Sequence, residues 1–220
     1  MNLRFPHCAS LLLLATTLGA AQTASPPAPA SSAKSAKPAA TTMPAPDPGE
    51  TSAGVYSNRT FGFTFKLPFG WVDRTDFMRQ DSADAKADPS TSFVLLATFE
   101  RPPEASGDTV NSAVIIAVES VSSYPGLKDA SQYLGPVAEI AKSKSFTAIN
   151  EPYDFPVDGK PIVRQDFSKK LAGLTMVQSS LAMLHGPYVL SITFIAGSLD
   201  DIAETLDNLR FGRATPAKHR

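Results

Sequence analysis

Two histidines, His185 and His219, and three aspartates, Asp81, Asp84 and Asp88, are the side chains best suited by type to metal binding or proton transfer. His185 stands immediately before Gly186-Pro187, a chain-reversal signal, so it reads first as a turn residue. An imidazole there could also serve as a ligand or a proton-transfer group, because it titrates near neutrality. His219 lies in a polar tail. Cys8, the single cysteine, sits in the leader discussed below, so the rest of the chain has no thiol for a disulfide, a thiolate site or a nucleophile. One plausible histidine without cysteine cannot assemble a zinc site of ordinary composition.

The aspartates in "RQDSADAKADPS" lack calcium-loop spacing, and no glycine among them makes the required sharp turn. They read as a solvated loop, with weak cation binding as the alternative. No G-x-S-x-G turn, phosphate-binding loop or dinucleotide fingerprint occurs. The residue types therefore nominate no catalytic group, metal ligand or cofactor-binding residue, and the expectation is a protein that is not an enzyme.

Aromatic side chains are the other candidates. Phe61, Phe63, Phe65 and Leu67 alternate with small or polar residues, which places them on one face of a strand. Pro68 ends that strand, Gly70 turns the chain, and Trp71 can fold back over the apolar face. This is the pattern of a core strand. A ligand cavity near Phe63, Trp71 and Tyr133 is the competing reading, with Trp71, Tyr133 and His185 as possible ligand or partner contacts. Tyr124, Tyr133, Tyr153 and Phe155 could rim a groove, or complete a core.

These residues must be positioned by a chain of 220 residues, 43% hydrophobic, with a formal net charge of -1. Such a balance offers no basic stripe for nucleic acid. "MNLRFPHCASLLLLATTLGAAQ" has a basic residue, an apolar run too short to span a bilayer, and small residues that would allow cleavage before Gln22. Residues 1–21 therefore read as a signal peptide, and the protein is expected in the periplasm or outside the cell. Cys8 precedes the apolar run, so no acyl anchor and no stable membrane anchor are expected. Residues 22–54, rich in Ala, Pro, Ser and Thr, read as a disordered linker. Asn58-Arg59-Thr60 matches a glycosylation triplet, a pattern common by chance.

Residues 55–212 carry strand and helix periodicities, and 213–220 form a flexible tail. "SFVLLATFE" and "SAVIIAVESV" are strands, the second apolar on both faces and so central. Asp129 with Gln132 fits a capping box, opening a helix that Gly135-Pro136 would kink or delay. Asp158-Gly159 signals a hairpin, and Gly173 and Gly186-Pro187 mark further reversals between strands Ile162–Lys170, Leu174–Leu184 and Tyr188–Ala196. Ser198 caps a terminal helix that Phe211 closes. Antiparallel pairings with a crossing and a terminal helix make an α+β sandwich.

"YSNRTFGFTFKLPFGW" resembles the opening of PsbP-like domains, and "GPYVLSITFIAGSLDDIAETLDNLRF" is similar to their last strand, Ser-capped helix and terminal Leu-Arg-Phe. The resemblance spans Val55 to Gly212. It implies an antiparallel sheet sandwiched by helices, in a family that includes photosystem II extrinsic subunits, a Ran-binding nuclear-import factor and bacterial exported proteins. The family's members act as binding or assembly modules. The resemblance carries no binding residue to this chain. The expected function is an exported, non-enzymatic binding or assembly module that contacts an envelope protein through a sheet edge or the loops Asp76–Ser90 and Arg101–Thr109. The alternative is a carrier of a small apolar ligand between sheet and helix.

Overall fold

A computed structural model describes residues 46–84, 91–171 and 173–212. The leader, residues 22–45 of the expected linker, Asp88, and the tail with His219 lie outside the described residues.

The chain begins with a small antiparallel sheet. Strand β1 (Glu50–Ser52) reverses through Ala53 and Gly54, both at positive φ (48° and 74°), into β2 (Val55–Asn58). Such a two-residue turn matches the twist of the strands it joins. The folded part thus starts earlier than the expected boundary at residue 55. Tyr56 donates its hydroxyl to the Pro48 carbonyl at 2.9 Å, and Asn58 Nδ2 donates to the Asp47 carbonyl at 2.9 Å. These bonds hold residues that composition alone assigns to the linker.

Asn58 also closes the next reversal. Its Oδ1 accepts from Phe61 N at 3.0 Å, its carbonyl accepts from Gly62 N at 3.0 Å, and β3 (Phe63–Lys66) follows. Phe61 therefore lies in a turn, not in the strand, yet Phe61, Phe63 and Phe65 are all buried. The alternating aromatics are core.

The large sheet starts at β4 (Val72–Asp73), the short strand leading into α1 (Thr75–Asp84). The expected loop from Asp76 is thus helical in its first half, because Asp73 Oδ1 accepts from both Thr75 N (2.8 Å) and Thr75 Oγ1 (2.6 Å) at the helix start. Asp81 and Asp84 lie on this helix. Then come β5 (Ser92–Phe99), β6 (Ala113–Ser120), a 3₁₀ turn at Val121–Ser123, and α2 (Ala130–Ser143). Asp129 caps α2 as expected, and Gln132 Oε1 accepts from Lys128 N at 2.8 Å. Pro136 lies inside the helix and does not delay its start.

Short strands β7 (Thr147–Ala148) and β8 (Tyr153–Asp154) lead to the meander β9 (Val163–Leu171), β10 (Leu174–His185) and β11 (Tyr188–Ala196). Asp158 and Gly159, at φ 48° and 75°, form the predicted turn between Val157 and Lys160. Ser198 caps α3 (Leu199–Leu206). Leu209–Phe211 does not merely close that helix. It forms β12, which pairs with β3 in the register Leu209↔Phe65 and Phe211↔Phe63.

All pairings are antiparallel, in a four-stranded sheet ordered β1-β2-β3-β12 and a larger one ordered β4-β5-β6-β11-β10-β9-β7, with β8 on β9. Strand β6 is buried along its whole length, which its two-sided apolarity predicts. Phe61, Phe63 and Phe65 meet Val114, Ile116, Leu181, Leu190, Ile192 and Phe194 in the main core, with Ile202 and Leu206 of α3 beside them. The opposite face of the large sheet carries α1, through Met78, and α2, through Ala130, Tyr133 and Leu134. The fold is α+β, its antiparallel sheet covered by helices on both faces, with the small sheet sharing one face with α3.

Candidate functional site

The three residues singled out from sequence do not converge. Trp71 is half-buried against the main core, and its backbone N–H donates to the Pro68 carbonyl at 3.3 Å. Tyr133 lies on the other face of the large sheet, beneath α2. A single cavity near Phe63, Trp71 and Tyr133 is therefore ruled out by the intervening sheet. His185 is exposed at the end of β10, its ring edge-on to Phe61 at 5.2 Å between centroids.

The aromatic set likewise separates. Tyr124 and Tyr133 meet edge-on at 5.2 Å on the α2 side. Tyr153 and Phe155 form their own perpendicular pair, and Arg164 stands 5.0 Å above the Phe155 ring. No shared groove results.

What sequence reading missed is a buried carboxyl. Glu119, within the apolar strand β6, receives the Tyr133 hydroxyl at 2.9 Å on one oxygen and the Tyr124 hydroxyl on the other. Burial pushes its pKa up, while the two hydroxyl donors pull it down. Burial also raises the Tyr133 hydroxyl far above the ordinary tyrosine value. A second buried polar group joins Arg164 to Asp166 at 2.7 Å, with Ser179, Asn150 and Tyr153 donating to the same carboxylate. Both carboxyls have their hydrogen-bond partners within the fold, as buried polar groups require.

Among the described residues, an open cleft of about 440 Å³ is present. One wall is the segment Pro48–Thr51, ending in β1, and the other is Asp73–Phe77 with Arg79, from the end of β4 and the first turn of α1. Tyr56, Leu95 and Leu96 complete the lining. Strand β5 has a register irregularity between Val94 and Leu96, which leaves carbonyls unmatched by β6. Arg79 takes them: Nε donates to Val94 O at 2.8 Å and Nη2 to Leu95 O at 3.1 Å. Its Nη1 donates to Asp76 at 3.3 Å, and the guanidinium stacks 4.7 Å from the Phe93 ring. Burial raises the pKa of Tyr56, and the Arg79 charge opposes that rise.

Arg74 pairs with Glu104 and lies 5.5 Å from the Phe77 ring. Its Nε–H is buried and, among the described residues, has no hydrogen-bond partner. The carboxylates of Glu50 and Asp76 stand out into solvent at the rim, and Phe77 is about half exposed (49%). The cleft thus presents backbone, an apolar ring and carboxylates at its rim. Among the described residues no group of His, Cys, Asp and Glu is arranged to hold a metal, and no helix is long and apolar enough to cross a membrane.

Comparison with family profiles and with curated proteins finds no match. Solved structures do match. A Pseudomonas aeruginosa protein of unknown function, PA94, is 17% identical, with 54% of this chain and 84% of that one covered and a TM-score of 0.38. The Saccharomyces cerevisiae Ran-binding protein Mog1p is 13% identical over 67% of this chain and 78% of its own, also with a TM-score of 0.38. LpqN of Mycobacterium tuberculosis, described as involved in cell envelope biogenesis, is 13% identical over 76% and 87%, with a TM-score of 0.36.

Proposed function

We propose that this protein is an exported, non-enzymatic binding module of the cell envelope that engages an envelope protein through the cleft between Pro48–Thr51 and the start of α1. The observation that carries the reading is the cleft itself, in which a strand edge, the carboxylates of Glu50 and Asp76 and the half-exposed Phe77 ring border one space. Polar and apolar groups left facing one concave surface suit recognition of another molecule. The carboxyls of Glu119 and Asp166 are already taken up by hydrogen bonds within the fold, which suits a structural role.

A photo-crosslinking amino acid at Phe77 tests this in the native envelope. Leu171, at the far end of β9 and equally exposed at 49%, is the control. One partner of constant mass captured from Phe77 and absent from Leu171 supports the reading. Equal capture at both positions, or none at Phe77, overturns it. A small apolar molecule co-purifying without any protein would favour the carrier reading instead.

A further inference from the structure

We infer that the cleft takes its partner as an added β-strand: an extended, basic segment of the partner pairs with the outer edge of β1. This rests on the binding-module reading above and specifies its mode. Strand β1 is the end of the small sheet, and among the described residues no strand pairs with its other side. The turn at Ala53-Gly54 makes Ser52↔Val55 the hydrogen-bonded closing pair of the hairpin. Antiparallel pairs alternate, so Thr51, opposite Tyr56, directs its N–H and C=O away from β2. Thr51 also lines the cleft. A row of open backbone groups on an edge strand is the template for strand addition, which supplies affinity through main-chain hydrogen bonds.

Two further features fit such an occupant. The Glu50, Thr51 and Ser52 side chains are all exposed, so nothing on β1 shields its edge. The two arginines that line the cleft are engaged, Arg74 with Glu104 and Arg79 with Asp76 and the β5 carbonyls, and Glu50 meets the exposed Arg59 at 3.7 Å. The lining still carries three carboxylates, Glu50, Asp73 and Asp76, against those two arginines, so its balance is negative and the complementary segment is basic.

The probe is a seven-residue peptide alternating lysine with valine, acetylated and amidated, added to the purified chain while amide exchange is followed by NMR. The Thr51 amide should exchange at least tenfold more slowly with millimolar peptide. A glutamate-for-lysine version, and one with alternate backbone amides methylated, should leave it unchanged. Thr51→Pro removes the outward N–H and should abolish binding, while Thr51→Ala should retain it. No slowing at Thr51, or equal slowing by the acidic peptide, overturns the proposal. If Phe77 still crosslinks its partner while Thr51 stays unprotected, strand addition falls and the cleft reading stands; if both fail, both fall.

Discussion

Phe65 and Phe69 are the same residue type four positions apart, and the structure assigns them opposite fates. Phe65 is 0% exposed, between the two sheets and 6.5 Å from the Phe194 ring, while Phe69 is fully exposed at the Pro68–Gly70 turn. Truncating Phe65 to alanine removes an aromatic ring from a packed layer that cannot collapse freely, because sheet surfaces hold both sides apart. Such truncations cost about 3–5 kcal/mol. For a domain of this size each kcal/mol moves the midpoint by about 2–4 °C, so Phe65→Ala should lower Tm by roughly 6–20 °C. Phe69→Ala should stay within about 0.5 kcal/mol of the parent. Thermal melts followed by circular dichroism, backed by urea midpoints at constant m-value, measure both. If Phe65→Ala melts within about 2 °C of the parent, the two-sheet core is wrong. Equal losses from both variants would refute the turn geometry instead.

The Glu119 carboxyl, raised chiefly by burial, keeps its proton in the folded state to a higher pH than in the unfolded chain. Stability should therefore decline as pH rises from about 4, the ordinary glutamate value, until it passes the raised value, and Glu119→Gln should flatten that slope in urea titrations. At Asp166 burial pushes upward, but hydrogen bonds from Ser179, Asn150 and Arg164 outweigh it and hold the carboxyl below its usual range. Its contribution is present above the ordinary aspartate value and is lost as pH falls through the lowered one. Asp166→Ala should cost about 3–5 kcal/mol by stranding the buried Arg164 charge, and a loss under about 1 kcal/mol would refute that pairing. Gly49 and Gly54 both lie at positive φ, but a Cβ at Gly49 would strike the Tyr56 hydroxyl, whereas one at Gly54 meets open space. Gly54→Ala should lose about 1–2 kcal/mol and Gly49→Ala clearly more, with identical melts counting against the cleft geometry.

The meander from β9 to β11 was legible because alternation and glycine reversals act locally, and its bounds fall within a residue of expectation. The α3 cap at Ser198 and the α2 cap at Asp129 were legible for the same reason. Helix α1 was not. Its sequence TDFMRQDSAD anchors through Met78 alone to the nearby core, so polar composition hides a helix that tertiary contact supports. Strand β1 was illegible because all three of its side chains face solvent and only backbone pairing with β2 defines it. The cleft combines those two segments, so no single stretch could announce it. Glu119 did leave a signal, an acid inside the run AVIIAVES, but periodicity does not reveal that Tyr124 and Tyr133 would reach it from a later turn and helix.

The pairing of β12 with β3 has a consequence for how the molecule is made. Phe63 meets Phe211 at 5.8 Å, and Phe211 N donates to Asp158 Oδ2 at 2.8 Å, so an early strand of the fold, β3, is closed by the last one, β12. Until the last strand emerges, whether from a ribosome or a translocation channel, Phe63 and Phe65 lack one of the strands that cover them. Loop-closure entropy across nearly the whole domain must be met before that contact rewards it. Folding should be slow and late, with the aromatic strand open to holdase chaperones while the chain is being produced.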